Sequence, residues 1–192
     1  MDFKIIKQLR EITGVGVLEC QRALEESKGD INLAIEILRK QGQKIVEKKQ
    51  NRATNGGIIE AYVHSNKKIG VLVELVCETD FVARNSKFID LAHDLAMQVA
   101  ATNPHWIKPE DVPVEILSKE KEIASEGAPT DKPGLVREKI INGRLEKFYI
   151  ENCLLEQPFV REEKIKIKDL VQEKVAKLGE NIQIKKFIRF AL

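Results

Sequence analysis

The segment Cys77-Glu78-Thr79-Asp80-Phe81-Val82-Ala83-Arg84-Asn85 sets two acids and a phenylalanine where a β-rich run gives way to a helical pattern. Local sequence favours a plain helix start there, with Asp80 as the capping acid and Phe81 as a core anchor. The alternative is an Asp-Phe wedge that projects from a loop at a strand end, where a rigid scaffold presents functional side chains well. Gly14 and Gly16 form a bare GxG. A phosphate-binding loop needs that pattern after a strand and with more glycine, whereas here it follows a helix and reads as a helix–helix turn. His64, His93 and His105 have no companion nucleophile. Cys20, Cys77 and Cys153 are far apart, with neither a CxxC pair nor zinc spacing. The basic run from Lys44 to Arg52 reads as a solvated helix face. No triad order, metal set, phosphate loop or pair of carboxylates suited to catalysis emerges, so the residues describe a binding protein rather than an enzyme, with no cofactor or metal expected.

The elements that position these residues fall into three stretches. In residues 1–42, Ile5, Ile6, Leu9 and Ile12 recur at helical spacing, Val17, Cys20, Ala23 and Leu24 form a second face, and Ile31, Ala34, Ile35 and Leu38 form a third. Gly14 and Gly16 break the first helix, Gly29 supplies a left-handed stop with Asp30 as the next cap, and Gly42 is expected to end the third helix. Residues 43–55 turn polar and read as a linker helix closed by Asn55-Gly56-Gly57. Residues 58–64 and 69–78 then read as an antiparallel hairpin around Ser65-Asn66-Lys67-Lys68. A helix capped by Asn85 or Ser86 follows, with Phe88, Leu91, Ala92, Leu95 and Val99 as its buried stripe. Further helices are expected over 114–125, 135–155 and 170–178, with a loop at 127–134 and a third strand over 182–190. The fold class is α+β: a three-helix bundle (1–42), a polar linker (43–55), and a core domain (56–192) of a small three-stranded antiparallel sheet packed with helices.

Composition narrows the class further. The chain has 192 residues, 43% hydrophobic and 32% charged, the balance of a globular protein. Lys and Arg total 32 against 30 Asp and Glu, too even for nucleic-acid binding to follow from composition. No apolar run approaches the roughly 20 residues of a membrane span. The first residues lead into an amphipathic pattern rather than a signal-peptide core, and dispersed cysteines of odd number fit a reducing cytosol, so a cytoplasmic protein is expected.

Five motifs in order resemble the translation elongation factor Ts family over nearly the whole chain: Leu9-Arg10-Glu11-Ile12-Thr13-Gly14-Val15-Gly16 with Cys20 and Ala23-Leu24; Gly29-Asp30 with Ala34-Ile35 and Leu38-Arg39; Val73-Glu74-Leu75 through Asn85; Gly143-Arg144-Leu145 with Leu154-Leu155-Glu156-Gln157-Pro158-Phe159-Val160; and Gly179-Glu180-Asn181-Ile182 leading to Arg189-Phe190. The resemblance implies a guanine-nucleotide exchange factor that binds elongation factor Tu in its GDP-bound and nucleotide-free forms. It implies that the N-terminal module is ubiquitin-associated-like and docks on the partner's GTPase domain, through Leu9, Thr13, Gly14, Val15, Gly16 and Val17. The family's Thr-Asp-Phe-Val motif maps onto Thr79, Asp80, Phe81 and Val82, implied to press into the partner near its Mg²⁺ site. Longer family members carry a duplicated core half. This chain resembles a short-form member, for which a homodimer is expected; no cysteine lies in the final strand, so no disulfide across such a dimer is expected. The rival reading is a binding module whose function lies in residues 1–42, with Phe81 in the core.

Overall fold

Apolar spacing in the first third of the chain builds three helices: α1 (Phe3–Thr13), α2 (Val17–Glu26) and α3 (Ile31–Lys49). These and all later elements come from a computed structural model that describes residues 3–127, 129 and 133–192. Ile6, Leu9, Cys20, Ala23, Leu24, Ala34 and Leu38 close a common core. Gly29, at φ +90°, turns the chain after α2, and the Asp30 carboxylate accepts the N–H groups of Asn32 (2.8 Å) and Leu33 (3.1 Å). The expected stop at Gly42 is not there. α3 runs through it to Lys49, so the start of the expected linker helix is the last turns of α3. Glycine lowers helix stability by about 1 kcal/mol without breaking the hydrogen-bond ladder. α3 passes close to α8 at this point: a Cβ on Gly42 would lie 3.4 Å from Ala176 Cβ, about van der Waals contact.

The remaining elements are β1 (Gly56–Val63), β2 (Ile69–Cys77), α4 (Asp80–Ala83), α5 (Ser86–Thr102), α6 (Val114–Glu126), α7 (Gly134–Asn152), β3 (Pro158–Phe159), β4 (Glu162–Lys166), α8 (Ile167–Leu178) and β5 (Ile182–Ala191), with 3-10 turns at Pro109–Asp111 and Leu154–Glu156. The chain divides into two compact units. One holds the chain through Gly57 with Val76–Phe88 and Val171–Gln183; the other holds Ile58–Leu75, Ile89–Leu170 and Ile184–Leu192. Together these elements make the expected α+β fold, with an antiparallel three-stranded sheet in the order β1-β2-β5. The β3–β4 hairpin was not expected, since the charged run Glu162-Glu163-Lys164 hides a strand that is exposed along most of its length. The expected helix over 135–155 ends at Asn152, where Cys153 bridges to Trp106. Residues 128 and 130–132 of the expected loop lie outside the described residues.

In the second unit, β2 alternates strictly, burying Val71, Val73 and Leu75. Leu91, Leu95 and Val99 of α5 are fully buried. Alternation in β5 slips at Lys185 and Lys186, which are both exposed, and Arg189 then donates from Nε to the Ala100 carbonyl at 3.2 Å. Among the described residues of this unit, Gln98 and Gln157 are deeply enclosed polar side chains. Gln98 is fully buried and donates from Nε2 to Gln157 Oε1 (3.2 Å) and to the Pro158 carbonyl (3.1 Å), while its Oε1 accepts the Val160 N–H (2.9 Å). All its hydrogen-bonding capacity in that space goes to the β3 segment. Replacing Gln98 by Leu strands those partners and is expected to lower unfolding free energy by about 1–3 kcal/mol in urea titration, with the midpoint falling and the slope unchanged.

Candidate functional site

Within the first unit, Thr79 caps α4. Its Oγ1 accepts the Val82 N–H at 3.4 Å, so Thr79, not Asp80, is the capping residue. The helix buries Val82 and Ala83 and turns Phe81 outward, 83% exposed. Phe81 as a core anchor, the local-sequence preference, is therefore corrected. In a four-residue helix only one side can face inward, and the smaller residues Val82 and Ala83 take it. Asp80 is also exposed.

Long-range hydrogen bonds hold this turn. Thr79 donates its N–H to Glu180 Oε2 (3.0 Å) and its hydroxyl to Glu180 Oε1 (2.7 Å). In return, Glu78 Oε1 accepts the N–H of Asn181 at 2.8 Å, and Glu78 Oε2 takes Arg52 Nη1 at 3.3 Å. Asn181 Nδ2 donates to the carbonyls of Arg52 (2.8 Å) and Gln50 (3.2 Å). Gly56 closes the frame, because a Cβ there would lie 2.7 Å from the carbonyl carbon of Thr79. Cys77, fully buried, donates its thiol to the Thr79 carbonyl at 3.2 Å. Burial, then the Glu180 charge, pushes its pKa up, so the thiol stays protonated and serves as a donor. The Asn181 N–H holds the Glu78 carboxyl below its ordinary value, helped by the Arg52 hydrogen bond and charge and by the Lys49 charge.

The second group of expected residues lies at the α1–α2 turn. Gly14 sits at φ +66° and donates its N–H to the Arg10 carbonyl at 2.7 Å, so the GxG is a helix–helix turn. Thr13 Oγ1 donates to the Leu9 carbonyl (2.7 Å) and accepts the Val15 N–H (3.4 Å). Val15 packs on the bundle core, and Gly16 precedes the first residue of α2. Leu9 is fully buried, so its place is beneath the turn; Val17 is exposed. Sequence reasoning missed Leu18 (65% exposed) and put Ile12 on the bundle's apolar face, whereas Ile12 is 56% exposed; both widen this apolar surface. Leu18 carried a usable signal: it falls off the Val17, Cys20, Ala23, Leu24 stripe yet is large and apolar. Among the described residues, no hydrogen bond or ion pair joins this turn to α4, and no cluster of three or more His, Cys, Asp or Glu could hold a metal ion. Among the same residues, no helix is long and apolar enough to cross a membrane.

Both surfaces offer exposed apolar side chains on hydrogen-bonded frames, which is the chemistry of a protein that binds another macromolecule. The family model described as "Elongation factor TS" matches residues 23–192. The chain is 54% identical to elongation factor Ts of Thermodesulfovibrio yellowstonii over 97% of its length and 94% of that protein. It is 53% identical to that of Thermosipho melanesiensis (98% and 97% covered) and 55% identical to that of Thermotoga neapolitana (97% and 94% covered). The chain belongs to the elongation factor Ts family of translation elongation factors.

Because Glu78 titrates below its unfolded value of 4.5, the stability it contributes is complete above that pH and disappears as pH falls through the lowered native value. Glu78→Gln is expected to be less stable than the parent at neutral pH and to lose stability less steeply below pH 4.5, in denaturant titrations at stepped pH. A parallel acid slope in the two proteins would remove Glu78 from this role.

Proposed function

We propose that the chain is a guanine-nucleotide exchange factor that binds elongation factor Tu·GDP, disturbs its Mg²⁺ site and promotes GDP release so that GTP can rebind. The observation that carries this reading is the exposed Phe81 ring on a turn fixed from several directions. Mg²⁺ demands near-octahedral geometry and bridges nucleotide phosphates to the GTPase. A ring pressed among the helices that carry its ligands spoils that geometry, the phosphates lose charge compensation, and GDP leaves. Thr79 and Val82 hold the ring, Phe81 supplies the wedge, and Asp80 makes polar contacts that place it. Asp80 is not assigned as a metal ligand in this reading. No covalent chemistry is involved. Exchange rests on linkage: the factor binds the nucleotide-free GTPase more tightly than the GDP form, and nucleotide weakens the factor by the same ratio.

The bundle of residues 1–42, with a ubiquitin-associated-like arrangement, docks on the GTPase domain. The turn of Thr13, Gly14, Val15, Gly16 and Val17, supported from below by Leu9, makes that contact, and Ile12 and Leu18 extend it. Residues 43–55 then connect it to the 56–192 core. Direct nucleic-acid binding forms no part of this reading, and the cytoplasm is the proposed setting.

Stopped-flow release of fluorescent GDP from purified elongation factor Tu tests the reading. Release should accelerate and saturate with factor concentration. Phe81→Ala should lower the saturated rate roughly ten- to thirtyfold, the scale of one aromatic hot spot. Being exposed, Phe81 should change folding stability by no more than about 0.5 kcal/mol when replaced. If the parent chain gives no acceleration with active partner, the exchange reading falls.

The same chain is proposed to form a homodimer. Support comes from the outward positions of the sheet in the second unit, where Ile59 (71% exposed), Val63, Leu72, Ile188 and Phe190 (67%) alternate with covered residues. An apolar face of this kind is usually covered. All three cysteines are buried thiols, so such a dimer should survive reductant. Sedimentation equilibrium at micromolar concentration should give twice the chain mass with or without dithiothreitol; a strict monomer would refute the dimer.

A further inference from the structure

A helix of four residues does not hold itself. Its nucleus fixes several dihedrals for almost no internal hydrogen bonds, so outside contacts must set its direction. On its inner side α4 is fixed by buried Val82 and Ala83. At its start everything depends on Thr79, whose hydroxyl has two tasks: it accepts the Val82 N–H and donates to Glu180. Both oxygens of the Glu180 carboxylate are used on this one residue, one on the hydroxyl (2.7 Å) and one on the backbone N–H (3.0 Å). Two bonds from one carboxylate fix both the Thr79 rotamer and the backbone that leads into α4, and charge-assisted bonds of this kind are about twice as strong as neutral ones.

Glu180 is itself held in place. Gly179 ends α8 in the left-handed region at φ +74°, donating its N–H to the Val175 carbonyl at 2.9 Å. Two residues after Gly179, Asn181 is tied through its N–H to Glu78 and through its amide to the carbonyls of Gln50 and Arg52. The carboxylate is thus carried on a short bridge between two fixed points, and Phe81 lies two residues beyond the atoms it grips.

We infer that Glu180 is a positioning residue for Phe81, acting through Thr79 to fix the direction in which the exposed ring projects. The inference deepens the exchange reading and rests on it. A residue that only stabilised the fold would change unfolding free energy and leave the saturated exchange rate alone. A positioning residue changes the saturated rate and has nothing left to change once the ring is gone.

The experiment measures fluorescent GDP release from elongation factor Tu across a range of factor concentrations, using the full chain and its Phe81→Ala, Glu180→Ala, Glu180→Gln and Phe81→Ala/Glu180→Ala forms. Glu180→Ala should lower the saturated rate roughly tenfold, since small misplacements of a positioned group cost up to about a hundredfold. The half-saturating concentration should stay within about twofold, and the double variant should match Phe81→Ala, because neighbours acting through one group are not additive. Glu180→Gln keeps one acceptor oxygen on Thr79, so it should fold and give an intermediate saturated rate. It decides the matter if Glu180→Ala is unfolded by circular dichroism. A parent-like saturated rate in the folded Glu180 variants overturns the inference while the exchange reading stands. So does a change confined to half-saturation, or a Glu180→Ala loss that adds in full to that of Phe81→Ala. Phe81→Ala with parent-like exchange overturns the wedge itself, and Glu180's role with it.

Discussion

Two backbone N–H groups, of Thr79 and Asn181, each end on the glutamate that precedes the other: Thr79 on Glu180 and Asn181 on Glu78. Neither N–H has a strand or helix partner, because one lies between β2 and α4 and the other between α8 and β5. Asn181 is buried, where an amide without a partner is costly, whereas Thr79 is exposed and Glu180 takes the place of water there. Much of the local sequence follows from this exchange. Gly179 is needed to bring Glu180 round after α8, and Gly56 leaves room for the Thr79 backbone. Arg52 balances the second oxygen of Glu78, and Asn181 is drawn in to satisfy the carbonyls of Gln50 and Arg52.

The frame explains how a large ring can stay in water. Leaving Phe81 exposed forgoes about 1.5–3 kcal/mol of burial. Its neighbours Val82 and Ala83 recover part of that, and hydrogen bonds supply the order that packing would otherwise give. For the proposed docking of Phe81, a backbone already held by these bonds has little freedom left to lose on binding, so more of the contact energy would reach the complex. The α1–α2 turn uses the same logic on a smaller scale. Thr13 closes the turn with two bonds, Leu9 fills the space beneath, and Ile12, Val17 and Leu18 face outward.

What the sequence made legible was local. Helical spacing found the bundle and the α5 stripe, alternation found β1 and β5, a Val- and Leu-rich run after a short turn found β2, and glycines marked the turns at 14 and 29, where φ is positive. Gly42 was misread because glycine weakens a helix without ending it, and α3 runs on through it to Lys49. Phe81 was misread from local pattern because burial depends on which side of a short helix meets the core, and its spacing does not encode that. Ordered motifs gave its implied role. Glu180 stood within a recognised motif, but its partner is 101 residues away, and no periodicity links the two.

Within the first unit, the end of α8 serves both candidate surfaces. The Lys177 side chain lies over the α1–α2 turn so closely that a Cβ on Gly14 would come within 2.8 Å of its Cε and Nζ, and Glu173 one turn back holds its ammonium. Three residues further on, Glu180 grips Thr79. Gly14 is held to glycine by its left-handed φ; the Lys177 end above it is flexible and can move aside for a Cβ. The two candidate surfaces share this helix end, through a flexible lysine tip at the turn and a two-bond carboxylate at Thr79. Under the proposed docking, a partner held at the turn would meet Phe81 as an intramolecular second contact, at high effective concentration.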